Sequence, residues 1–116
     1  MPDVLFPVEM ISGVPVVSAP EEIDITNADM LRAALLESAR AGPGAFVVDL
    51  TRTRFCDTAG LHALVSARKR AQAEGGEVLL VVPGAAVLRI LQVTGLDQVF
   101  SSFTSLREAL AQVPGR

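Results

Sequence analysis

The chain has no tryptophan or tyrosine, five phenylalanines, one cysteine (Cys56), one histidine (His62) and one lysine (Lys69). Each shortage removes a class of protein. A single cysteine cannot close an internal disulfide, and one Cys with one His supply no ligand cluster for a permanent metal. With aromatics at 4% and a formal charge of −3 there is no Lys/Arg stripe interleaved with rings, the footprint of a nucleic-acid surface. No apolar run approaches the ~20 residues that span a bilayer. Met1-Pro2-Asp3-Val4 puts no basic region ahead of an apolar stretch and does not read as a secretory signal. The expectation is a reduced, cytoplasmic protein with no nucleic-acid or membrane partner, no metal and no cofactor.

What is present is apolar and aliphatic. Half of the 116 residues are hydrophobic, enough for one packed domain over residues 1–116 with a core of Leu, Val, Ile and Ala. Residues 4–10 and 14–19 are apolar runs split by Ile11-Ser12-Gly13, the spacing of a hairpin. Pro7 and Pro15 lack a ladder donor, which places at least one of these strands at a sheet edge. Thr26 or Asn27 is positioned to cap a first helix with Leu31, Ala34, Leu35 and Ser38 as its buried stripe, ended by Ala41-Gly42-Pro43-Gly44.

Residues 45–50 and 77–82 are apolar almost throughout, the mark of strands covered on both faces. Between them the periodicity predicts a helix over 59–73 with Leu61, Leu64, Val65 and Arg68 on one side, closed by Gly75-Gly76. A third helix over 85–94 stops at Gly95, and Val99-Phe100 reads as a last short strand. Ser105 and Glu108 form a capping box for a final helix with Leu106, Ala109, Leu110 and Val113 inward. The order ββαβαβαβα predicts an α/β fold: a mostly parallel sheet, an antiparallel edge hairpin at the N-terminus, four helices and right-handed crossovers.

The most informative stretch is Phe55-Cys56-Asp57-Thr58-Ala59-Gly60. It sits where a strand has ended and a helix begins, a place with unpaired backbone N–H groups and the positive end of the helix dipole. Read locally, Thr58 is a helix cap; a hydroxyl there is also exposed to a kinase, and a phosphate would add about −1.5 to −2 of charge. Asp57 reads as a cap and loop-shaping residue, Cys56 as a small buried hydrophobe, and His62 as a surface or partner-contact residue.

With these elements placed, the chain resembles the STAS domain of anti-sigma factor antagonists. Asp57-Thr58-Ala59-Gly60-Leu61 lines up with that family's Asp-Ser-Ser/Thr/Ala-Gly-Leu, after the strand Val47-Val48-Asp49-Leu50. Ala73-Glu74-Gly75-Gly76-Glu77-Val78 resembles its helix exit, and residues 88–97 resemble its Leu-x-x-x-Gly-Leu-Asp helix end. The resemblance implies a STAS-type single domain that switches partners. The unphosphorylated antagonist binds an anti-sigma factor that is also a serine/threonine kinase, and the sigma factor is released. The kinase then phosphorylates the hydroxyl residue after the Asp, here Thr58, and a PP2C-type phosphatase restores binding.

Asp57, Thr58, Ala59, Gly60, Glu22, Asp24 and His62 are the implied partner-binding residues. Two positions depart from the family pattern. Thr58 stands where Ser is usual, and Glu21 replaces the Gly of Gly-Glu-Leu-Asp, while Glu22 and Asp24 keep the acidic pair, with Asp24 expected to face the phosphorylation loop.

Rival readings are a STAS scaffold that does not switch, a phospho-accepting receiver domain and an enzyme. A receiver needs an acidic pair after its first strand and a Lys after its last. Pro20-Glu21-Glu22 imitates the first poorly, and Lys69 is the only lysine. For an enzyme, Gly75-Gly76 lacks the Lys-Ser/Thr of a phosphate-cradling loop, and no nucleophile–base–orienter set is evident. Arg52 and Arg54 read as solvated charges or as contacts for an acidic kinase surface.

Overall fold

Strands that are apolar at every position need cover on both faces, and the two such runs of this chain lie side by side in the middle of a sheet. The computed structural model describes residues 6–41 and 44–113. Its strands are β1 (Val8–Ile11), β2 (Val14–Ser18), β3 (Glu22–Ile23), β4 (Ala45–Asp49), β5 (Phe55–Cys56), β6 (Glu77–Val81) and β7 (Ser101–Phe103). Its helices are α1 (Ala28–Ala41), α2 (Thr58–Ala73), α3 (Ala85–Thr94) and α4 (Leu106–Ala111), with a 3₁₀ turn at Leu96–Gln98. The main sheet has the order β1-β2-β4-β6-β7; β1 and β2 are antiparallel and every other pair is parallel. This is the α/β arrangement expected from the sequence.

Alternate residues of β4 and β6 serve two cores. Phe46, Val48, Val78 and Leu80 face one, closed by Leu31 and Leu35 of α1, Leu61, Leu64 and Ala67 of α2, and Val87 and Leu91 of α3. Ala45, Val47, Leu79 and Val81 face the other, a thinner layer closed by α4 and its exit through Ala109 and Val113. Each Val or Leu so buried contributes about 1.5–3 kcal/mol. Among the residues expected on the inner side of α2, Val65 is partly buried against the core and Arg68 is half-buried.

The hairpin β1–β2 turns through two residues, with Ser12 at φ 53° and Gly13 at φ 81°. Both lie in the left-handed region that a tight two-residue hairpin requires. Strand β1 is the edge, as Pro7 and Pro15 anticipate. Pro15 itself lies in β2, ahead of the register shared with β4, which begins at Val16↔Val47. The strand expected over 4–10 is shorter, because Phe6 is buried in the core and the Pro7 carbonyl accepts from Ser18 N–H before the ladder begins. Residues 4 and 5, and Gly42-Pro43 of the first helix stop, lie outside the described residues.

Two further expectations are corrected. The last strand is Ser101–Phe103, not Val99-Phe100. After the left-handed Gly95, Val99 and Phe100 both donate their N–H to the Leu96 carbonyl at 3.0 Å, and the Phe100 ring anchors in the core. The apolar signal marked that anchor, while β7, at a sheet edge, is partly polar. Neither Thr26 nor Asn27 caps α1 with its side chain: Thr26 bonds back to Asp24, and Asn27 bonds to Asp24 N–H and the Glu22 carbonyl. Ser105 caps α4 as expected, accepting from Glu108 N–H at 3.1 Å, while the return bond of the box is shifted by one residue: the Glu108 carboxylate accepts from the N–H and hydroxyl of Thr104.

At the end of the sheet where β4 and β6 begin, two glycines touch. A methyl group on Gly76 would stand 1.9 Å from the Gly44 carbonyl oxygen, and the Glu77 N–H donates to that same oxygen at 2.6 Å. Backbone cannot yield as a flexible side chain does, so Gly76→Ala is expected to lower stability by roughly 2–3 kcal/mol or more through overpacking. Urea denaturation checks this; an unchanged midpoint would show that the Gly44–Gly76 approach is not needed.

Candidate functional site

The site is built where β4 leaves the sheet. Leu50 N–H still reaches the Val81 carbonyl at 2.9 Å, and the Asp49 carboxylate then accepts from the N–H and hydroxyl of Thr51. The chain doubles back and is stitched to the segment after β2. Buried Thr53 donates its hydroxyl to the Pro20 carbonyl at 2.7 Å, and Arg54 N–H reaches the Glu21 carbonyl at 2.8 Å. Strands β3 and β5 pair in parallel, Glu22 opposite Phe55 and Ile23 opposite Cys56, and Asp57 N–H donates to the Ile23 carbonyl at 2.9 Å. This two-rung ladder sets the Glu22–Asp24 segment beside the Asp57–Gly60 segment. Glu21, where the family pattern has Gly, does not take a left-handed backbone, so the turn needs no glycine.

Asp57 is the cap. Its backbone is extended (φ −88°, ψ −173°), its Oδ1 accepts from Gly60 N–H at 3.0 Å, and its carbonyl accepts from Leu61 N–H at 3.0 Å. Thr58 is therefore the first helical residue rather than the cap. It is exposed, and its hydroxyl has no hydrogen bond among the described residues. A free hydroxyl thus stands at the positive end of a 16-residue helix.

Gly60 lets that helix begin where it does. A methyl group there would stand 2.6 Å from both Cys56 Sγ and Ile23 Cγ2, so α2 rests directly on the ladder. Cys56 is buried under this contact, and burial, followed by the negative charge of Asp57, pushes its thiol from 9.0 up to about 12. It is packing and not a reactive nucleophile.

Asp24 lies at the end of the same ladder, but its carboxylate turns into its own loop rather than toward Thr58. Its Oδ1 accepts from the Thr26 hydroxyl and N–H, and those bonds hold its pKa below the usual carboxylate value. Glu22 is exposed. Arg54 pairs with Glu21 at 3.4 Å, both exposed, a pair worth little in water; Arg52 is exposed.

A groove of about 210 Å³ runs between α1 and the first turns of α2, lined by Ile25, Asp29, Arg32, Ala59, His62 and Ser66 among others. Ala59 and His62 thus face α1 across the groove, while Thr58, exposed at the start of α2, does not line it; the β3–β5 pairing brings the Glu22–Asp24 segment to that helix start. Two residues escaped the sequence reading. Ile25 is 79% exposed and Phe55 48% exposed, one on each segment of the site. Phe55 carried a signal: next to a buried Cys56, strand alternation turns it outward. Among the described residues no group of three or more His, Cys, Asp or Glu is placed to hold a metal, and no helix is long and apolar enough to cross a membrane.

Comparison with known proteins agrees with this geometry. The family model of the STAS domain matches residues 6–109. Anti-sigma-F factor antagonist RsfB of Mycobacterium tuberculosis is 32% identical over 104 residues, covering 90% of this chain and 84% of its own. The crystal structure of an anti-sigma factor antagonist from Mycobacterium paratuberculosis superposes with a TM-score of 0.79 at 34% identity, covering 93% of this chain and 92% of that one. The Bacillus anti-sigma factor antagonist SpoIIAA shares the fold in both its forms. The unphosphorylated structure gives a TM-score of 0.72 at 18% identity over 96% of this chain and 99% of that one, and the phosphorylated structure 0.70 at 19% over 92% and 97%.

Two outcomes test the seating of α2. An Ala in place of Gly inside a helix ordinarily gains about 1 kcal/mol. At Gly60 the short, buried Cys56 and Ile23 cannot move aside, so Gly60→Ala is expected to lose roughly 1–3 kcal/mol in chemical denaturation. Iodoacetamide at pH 8 is expected to label Cys56 on the order of a hundredfold more slowly in the native protein than in urea. Equal rates would place the thiol at the surface.

Proposed function

The chain belongs to the STAS domain family, and on that premise we propose that it is an anti-sigma factor antagonist. Unphosphorylated, it binds an anti-sigma factor kinase through the surface around Thr58, and the sigma factor is set free. Phosphorylation of Thr58 by that kinase turns binding off, and a PP2C-type phosphatase turns it on again. The protein works in the cytoplasm as a binding partner and catalyses nothing itself.

The observation that carries this reading is the division of roles between neighbours. Asp57 does the capping, so the Thr58 hydroxyl is left exposed and unbonded on a braced loop. SpoIIAA, which shares this fold, exists in a phosphorylated and an unphosphorylated form, and RsfB is an anti-sigma-F factor antagonist. The contact surface comprises Asp57, Thr58, Ala59, Gly60 and His62 with Glu22 and Asp24 of the neighbouring loop; exposed Ile25 and Phe55 supply its apolar area.

The switch acts through charge and desolvation rather than unfolding. An anion at a helix N-terminus is favoured, so the fold tolerates a phosphate at position 58. The same dianion pressed against a partner loses its water, and beside Asp57 it meets like charge. A loss of about 3 kcal/mol on binding already weakens affinity more than a hundredfold.

Thr58→Glu is therefore expected to fold normally and bind the anti-sigma kinase poorly, while Thr58→Ala binds but is not switched off by ATP. Calorimetry on both variants and on the wild type before and after phosphorylation measures this. If Thr58→Glu and the phosphorylated wild type bind as tightly as the unmodified protein, partner switching is wrong and a non-switching STAS scaffold is the better description.

A further inference from the structure

His62 is the single histidine of the chain, and it is exposed on α2 four residues after Thr58. Helical residues four apart share a face, with Cβ atoms roughly 5–6 Å from one another. In this structure the ring lines the groove toward α1, and the tilt of helical side chains toward the N-terminus leaves position 58 within its reach. An anion placed N-terminal to a cation at this spacing is also the favoured order. The other charged groups on this side include Asp29 and Arg32 of α1, which line the groove with His62 and pair with each other at 3.2 Å. They also include the Asp57 carboxylate, bonded to Gly60 N–H, and Glu22 and Asp24 of the neighbouring segment, Asp24 bonded to Thr26; all are present with and without the phosphate. Ser66 is the neutral polar group on the same side of α2. His62 itself has no hydrogen-bond partner among the described residues.

We propose that His62 is the built-in counter-charge for phosphothreonine at position 58: its imidazolium receives a phosphate oxygen across one helical turn and makes the phosphorylated state sensitive to pH. The proposal rests on Thr58 being the phosphoacceptor. A dianion on Thr58 favours the protonated form of an imidazole one helical turn away. Phosphate loses its second proton near pH ~6 and an imidazole its proton near ~6.5, so the two titrate in one window. By linkage each moves the other by the same amount in opposite directions: the imidazole midpoint rises and the phosphate midpoint falls. The full ion pair is present between the two midpoints. It fades at higher pH as the ring deprotonates, and at lower pH as the phosphate becomes a monoanion.

The test uses protein with phosphothreonine inserted at position 58 during translation, so no kinase is involved. The imidazole resonances of the only histidine are followed against pH by NMR, and the phosphate by ³¹P NMR, in the wild type and in His62→Gln. The expected result is a His62 midpoint about half a pH unit higher in the phosphorylated than in the unmodified protein, and a ³¹P midpoint lower by a similar amount in the wild type than in His62→Gln. Equal midpoints, within about 0.1 unit, in both comparisons overturn the proposal, as does a histidine shift without the reciprocal phosphate shift. Failure of any kinase to modify Thr58 bears on the proposed function and leaves this measurement unaffected.

Discussion

Residue 60 has no side chain, and the start of α2 can therefore lie against Ile23 and Cys56 with nothing between. That contact sets the height of the helix over the β3–β5 ladder, and the ladder in turn decides which groups meet. Because α2 begins where it does, Asp57 is in position to cap Gly60 N–H, and Thr58 is carried to the exposed corner. A helix beginning one residue later would make Thr58 the cap and engage its hydroxyl with a backbone N–H. The chemistry available at the surface is thus a consequence of packing below it.

Much of the fold was legible because its signals were long. The two central strands are apolar at nearly every position, which only a doubly covered sheet explains, and α1 and α2 repeat their apolar residues over several turns before a glycine stop. What was not legible was short or indirect. A two-residue strand such as Glu22–Ile23 or Phe55–Cys56 has no period to detect, so the ladder that joins the halves of the site left no mark of its own. Phe100 reads as strand although it is an anchor, because burial and β-pairing select the same residue types.

The site divides in the same way. The Asp57-Thr58-Ala59-Gly60 stretch announced a helix start and carried the family resemblance. The choice between Asp57 and Thr58 as cap was a matter of backbone geometry. Asp24 is beside the site by virtue of its backbone, yet its carboxylate closes a turn with Thr26, a local competition between side chain and main chain that spacing does not reveal. Ile25 looked like one more aliphatic residue, and its 79% exposure follows from that same turn.

The pairing of β3 with β5 also makes the site a long-range one. Contacts that tie Thr53 to Pro20 and Arg54 to Glu21 join residues 33 positions apart, with α1 and β4 in between. Closing so long a loop has an entropic cost that only the intervening helix and strand, once packed, offset. The surface around Thr58 is therefore a property of the whole domain: a peptide spanning residues 53–62 carries the threonine without the Glu22–Ile23 strand that frames it.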